Sequence, residues 1–160
     1  MGKRIDILMG ALAVLLLGSS CEKTRPTCAV PLQALVKANF YKVDSTGTEY
    51  LVGLPNAYIG AAGNDSLYIS GAALQNVALP LSPGANTVNF YIKTDSLAAT
   101  DTLRFNYDKQ LKFISNACGY TYYFTLQQAS TAGATIDSVK IIRPQVNNTT
   151  NDQNIKIYFH

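Results

Sequence analysis

The 160-residue sequence predicts an all-β domain behind a cleaved leader: a single antiparallel β-sandwich of the Ig-like, Greek-key kind, or a small barrel. Three observations carry this. Apolar and polar residues alternate with a period of two along most of the chain after residue 28, as in strands with one buried face. Turn-forming residues interrupt the alternation at intervals of about 8–15 residues, the rhythm of hairpin-connected strands. No segment after the leader carries an apolar stripe of period 3.6 over three turns, so no helix is expected there.

The chain opens with Lys3 and Arg4, an apolar run from Ile7 to Leu17, and the small residues Gly18, Ser19 and Ser20. The run falls short of the roughly 17–25 apolar residues that span a bilayer, so residues 1–20 read as a secretory signal. Cys21 follows directly, and the stretch resembles a bacterial lipoprotein signal, cut before a cysteine that carries lipid. Gly18 stands where that pattern prefers leucine, with Leu17 one place further back. An ordinary cleaved signal is the alternative, since Gly18 and Ser20 also satisfy the small-x-small rule. Residues 21–27 are then a polar tether, and residues 28–160 the folded domain.

Within the domain, Leu32, Ala34, Val36, Ala38 and Phe40 form the first apolar face, ended by the turn residues Asp44 to Gly47. A strand is expected over 57–62, a turn at Gly63-Asn64-Asp65, and a short strand over 67–70. Val77, Leu79 and Leu81 make an edge strand or a bulged one, because Pro80 cannot donate to a ladder. Val88, Phe90 and Ile92 should pair as a hairpin with Leu103, Phe105 and Tyr107. Asp108-Lys109 reads as a turn into Leu111, Phe113 and Ser115, and Gly119 breaks the run before Tyr120, Tyr122, Phe124 and Leu126. Val139 with Ile141 and Ile155, Ile157 with Phe159 complete the set, separated by a polar loop over 145–154 that is expected to be mobile.

Composition narrows the function. A hydrophobic fraction of 48% with 14% charged residues describes one folded domain. A net charge of +3 without clustered basic residues speaks against a nucleic-acid partner. With one histidine, His160, a Ser-His-Asp arrangement would depend on the last residue of the sequence, and no His/Cys cluster or calcium loop suggests a metal or cofactor. The cysteine count is three, odd for an exported protein. Assigning Cys21 to lipid leaves Cys28 and Cys118 to pair; a Cys21–Cys28 bridge with a free Cys118 thiol is the rival.

The segments GAAGNDSLY (60–68), LPL (79–81), DTLRFNY (101–107), ISNACGY (114–120) and KIYF (156–159), in this order behind a lipoprotein signal, resemble an uncharacterised domain-of-unknown-function family of small lipoproteins from Bacteroidetes-type bacteria. The resemblance covers the whole mature chain. It implies a compact β domain in the cell envelope, at the outer membrane, with either a periplasmic or a surface orientation, and it implies no activity and no site residues.

Two features could carry function beyond anchoring. Asp-(Ser/Thr)-x triplets place Ser45, Ser66, Ser96, Thr102 and Ser138 in a pattern resembling O-glycan acceptors of that bacterial group, although Asp-Ser and Asp-Thr also open strands in any β protein. Tyr91, Tyr120, Tyr122, Tyr123 and Tyr158 could form a face for a glycan or a protein partner, with core packing as the plainer reading; Tyr122 and Tyr123 must point to opposite faces of one strand. The expectation is a non-enzymatic, lipid-anchored envelope protein, held to the membrane by its N-terminal lipid and acting as a structural or interaction module. The alternative is a carbohydrate- or ligand-binding lipoprotein that uses an exposed aromatic face. An enzyme would need a carboxylate-only mechanism built from turn aspartates.

Overall fold

A computed structural model describes residues 27–63, 67–148 and 151–160, so the signal segment, Cys21, Ser66 and part of the 63–65 turn lie outside the described residues. Among the described residues eleven strands follow one another: β1 (Leu35–Val43), β2 (Glu49–Leu51), β3 (Leu54–Ala61), β4 (Leu67–Leu74), β5 (Asn76–Pro80), β6 (Thr87–Lys93), β7 (Asp101–Ser115), β8 (Gly119–Ala132), β9 (Ile136–Ile141), β10 (Gln145–Val146) and β11 (Ile155–Phe159). They form two sheets. The first runs β2-β1-β11-β9, with β5 pairing the other half of β1 on the same edge as β2. The second runs β10-β8-β7-β6-β3-β4.

The alternation seen in the sequence becomes the core. Val36, Ala38 and Phe40 of β1 and Ile155 and Ile157 of β11 face Ile59, Phe90, Ile92, Leu103, Phe105, Tyr107, Phe124 and Leu126 of the second sheet, in one buried cluster. Burying a side chain of this size stabilises by about 1.5–3 kcal/mol, so these strands hold the two layers together. The sheets are packed face to face and do not close, which makes the fold a sandwich and not a barrel. The expected hairpin is present, with Val88 opposite Phe105 and Phe90 opposite Leu103. Pro80 sits on β5, which among the described residues pairs only with β1, as an edge position requires.

Several expectations are corrected. The sandwich is not purely antiparallel: β1 and β11 run parallel, Phe40 opposite Ile157. Alternation reports which face a residue takes and is silent about the neighbouring strand. Asp108-Lys109 is no turn, because β7 continues through it to Ser115 and pairs with β8 throughout. Leu32 is exposed, and the buried face begins at Ala34. The 145–154 loop is fixed at both ends. Gln145–Val146 forms β10 with Val146 buried, and the Asn154 side chain donates to the Arg143 and Gln145 carbonyls and accepts from the Lys37 amide. The carboxylate of Asp101 is buried at the start of β7. It accepts from the amides of Ala134, Thr135 and Ile136, locking the β8–β9 turn from inside the molecule. Gly133 in that turn has φ +147°, and a Cβ there would collide with Asp101.

Candidate functional site

Cys28 and Cys118 form a disulfide with their Cα atoms 4.8 Å apart. Cys118 lies in the turn joining β7 to β8, and Thr121 and Asn148 bond the Leu32 and Pro31 carbonyls. The segment leading into β1 is thus strapped along the β7–β8 hairpin. The rival Cys21–Cys28 pairing is replaced by this bond.

The five candidate tyrosines occupy separate places. Tyr120 and Tyr122 lie on the core-facing side of the β7–β8 hairpin, opposite Phe113 and Leu111. Tyr123 points to the other side, and its hydroxyl donates to Asn148 Oδ1 at 2.7 Å. Tyr91 covers Gly60 on the outer face of the second sheet, where a Cβ would strike its ring, and with Tyr58, Lys93 and Ser96 it lines a small cleft of about 300 Å³. Tyr158 belongs to the outer face of the first sheet.

That outer face holds a connected set of polar and aromatic groups, of which only Tyr158 is a candidate on sequence grounds. Tyr158 stacks at a tilt against Tyr41, 5.9 Å between ring centres, and donates to Glu49 Oε1 at 2.7 Å. Lys156 donates to Glu49 Oε2 and lies 4.7 Å over the Tyr41 ring. The Lys156 and Tyr158 hydrogen bonds hold the Glu49 carboxyl below its usual range, while burial, then the Glu49 contact, push the Tyr158 hydroxyl up. The Glu49 bond raises the Lys156 ammonium. Beside this array runs a groove of about 520 Å³ lined mainly by Lys37, Asn39, Asn76, Asn151, Asp152 and Gln153. Gln153 Oε1 accepts from Tyr41 at 3.1 Å and so joins the groove to the aromatic pair. Amides that donate and accept beside an aromatic face suit a ligand rich in hydroxyl groups. The signal for Lys37, Asn39 and Tyr41 is present in the sequence as the outward half of the first alternating strand. The partners of Lys37 and Tyr41, Asn151 and Gln153, lie more than 100 residues away, beyond the reach of any local pattern.

The Asp-Ser/Thr triplets divide. Ser45, Ser96 and Ser138 are exposed, while Thr102 is half-buried within β7 opposite Tyr91. Their acids serve the backbone or the adjacent hydroxyl: Asp44 accepts from the Thr46 and Thr48 amides, Asp95 from those of Leu97 and Ala98, and Asp137 from Ser138. Thr46 and Thr48 bonds hold Asp44 below the usual carboxylate range. His160 is exposed, its Nδ1 3.8 Å from Asp137. Among the described residues no three His, Cys, Asp or Glu side chains gather as metal ligands.

Residues 56–159 match the model of a family described as a family of unknown function (DUF6452). No curated protein and no solved structure matches the chain.

Proposed function

The chain belongs to the DUF6452 family, whose function is unknown, and from its own residues we propose that it is a lipid-anchored protein of the bacterial cell envelope, a small lipoprotein of the Bacteroidetes type at the outer membrane. Its β-sandwich acts as a non-enzymatic structural or interaction module. One observation carries the reading: the Cys28–Cys118 bond consumes two of three cysteines and leaves Cys21, the residue directly after the apolar run and its small residues. More than one acyl chain on that thiol and its amine would anchor stably, since each buried methylene contributes about 0.8 kcal/mol. A non-enzymatic role is supported by the acids. Asp44, Asp95 and Asp101 are engaged by backbone amides, and Glu49 by Lys156 and Tyr158. Intact mass of the exported protein tests the anchor. The expected result is a mature chain beginning at Cys21 with added acyl mass, partitioning into detergent, and a Cys21→Ser chain released from membranes. An unmodified Cys21 on a soluble mature chain overturns it.

A second reading is favoured by the groove on the first sheet: binding of a glycan or another hydroxyl-rich ligand between the amide side chains and the Tyr41–Tyr158 pair. Titration with neutral oligosaccharides should then give saturable heat that Asn39→Ala and Tyr41→Ala abolish. Binding unaffected by both variants would remove the groove from consideration. Exposed Ser45, Ser96 and Ser138 are the acceptors we propose for O-glycosylation, checked by the same intact mass.

A further inference from the structure

The end of the β7–β8 hairpin carries a group of exposed apolar side chains. Tyr107 is the last buried residue of β7; from Asp108 outward the strand pairs with β8 alone among the described residues, up to the turn carrying Cys118. On the side that elsewhere faces the core, Leu111 pairs with Tyr122 and Phe113 with Tyr120. The aromatic row of the interior, Tyr107, Phe124 and Tyr122, therefore runs out onto a shelf ended by the Phe113–Tyr120 pair, 5.2 Å between ring centres. Leu111, Phe113 and Tyr120 are 54%, 49% and 64% exposed, and Val30 and Leu32, on the segment strapped to this hairpin, are exposed as well.

Resting on the anchoring reading above, we propose that this shelf lies in the bilayer interface, as a second, non-covalent contact between the protein and the membrane. The reach of the chain argues for it. Cys28 is bonded to the hairpin tip, and the seven residue steps from Cys21 to Cys28 span at most about 25 Å when fully extended. A lipid on Cys21 therefore keeps the tip within about 25 Å of the membrane surface. Composition agrees: an aromatic pair ending in tyrosine suits the headgroup boundary, where an apolar ring and a polar tip are both satisfied. From Lys109 to Ile136 the sequence contains no Asp or Glu, and Lys109 and Lys112 are the charges on this arm, so nothing there is repelled by anionic headgroups. The opposite end of β7, which follows the loop where Leu97 is 95% exposed, lies about 45 Å from the tip by strand length and should remain in water.

The test uses the mature full-length chain with vesicles of phosphatidylethanolamine and phosphatidylglycerol that contain a phospholipid photoreactive in its upper acyl chain. After illumination and digestion, adducts should fall on peptides covering 109–123. A Phe113→Ser/Tyr120→Ser chain should lose them while keeping the Cys28–Cys118 bond, and Leu97→Ser should label like the wild type. Vesicle-bound protein without hairpin adducts, or with hairpin cross-links to a second copy in their place, overturns the shelf. The mass of the Cys21 peptide in the same digest separates the two claims. An acylated chain with an unlabelled hairpin refutes the shelf alone, an unacylated chain still labelled at 109–123 refutes the anchor alone, and an unacylated chain that leaves the vesicles refutes both.

Discussion

Two carboxylates show how far a residue's role depends on what faces it. Asp101 is buried and accepts amide hydrogens from Ala134, Thr135 and Ile136 at 2.6–3.0 Å, all in a turn more than 30 residues away. Asp101→Asn would turn an amide N–H₂ toward those donors and strand at least one of them, a loss of about 2–4 kcal/mol. Asp108→Asn, at an exposed site, should change stability by less than about 0.5 kcal/mol. Urea denaturation of the two variants reads the contrast, and similar midpoints would show that the buried acid is not needed to hold the β8–β9 turn. Glu49 gives the pH dependence. Its folded carboxyl titrates below the ordinary value of 4.5 because Lys156 and Tyr158 donate to it, so the fold binds this proton less readily than the unfolded chain does. The stabilisation is complete above the unfolded value and is lost as pH falls through the lowered folded one. Wild-type stability should thus fall more steeply with acidification below about pH 4.5 than that of Glu49→Gln, measured by urea midpoints across that window.

At the scale of elements, the disulfide and the long hairpin act together. Cys28 and Cys118 are separated by 90 residues, and closing a loop of that length restricts the unfolded chain by about 4–5 kcal/mol in the loop-entropy account. Reduction should lower the unfolding free energy by a comparable amount. Faster amide exchange in the β7–β8 tip would accompany it, since beyond residue 108 the first sheet does not cover that tip. Hydrogen exchange that rises equally over β1, β6 and the tip would mean that the bond acts globally and not on the strap. The same hairpin marks where the sequence stops being legible. Up to Tyr107 each buried position alternates with a solvated one, and the pattern identifies the strand and its inner face. From Asp108 outward β7 is mostly exposed, so the polar pair Asp108-Lys109 reads as a turn and one long strand reads as two. The covalent tie is legible because cysteine counting needs no geometry. The Glu49–Lys156–Tyr158–Tyr41 array is not, because it joins β1, β2 and β11, and a parallel pairing of the first long strand with the last leaves no trace in local alternation.

That parallel pairing decides what the folding unit of the whole molecule is. The family match begins at residue 56, inside β3, and omits β1 and β2. In the sandwich β1 is an interior strand of the first sheet: β11 pairs along one side of it, β2 and β5 along the other. Removing it would expose the inner edge of β11 and leave β5 without any strand partner among the described residues, while deleting Val36, Ala38 and Phe40 from the core. Those three side chains share one buried cluster with Ile59, Phe90 and Phe105 of the second sheet, so that sheet would lose part of its cover at the same time. A strand edge exposed along an apolar face is also a template for pairing with other chains. A fragment over 56–159 should therefore lack a cooperative unfolding transition and aggregate. A chain over 28–160 should unfold in one step and show dispersed amide resonances, because it holds both β1 and its disulfide. Comparison of the two by urea denaturation and two-dimensional NMR settles the boundary, and a cooperatively folded 56–159 fragment would mean that β11 and β9 find another covering strand when β1 is absent.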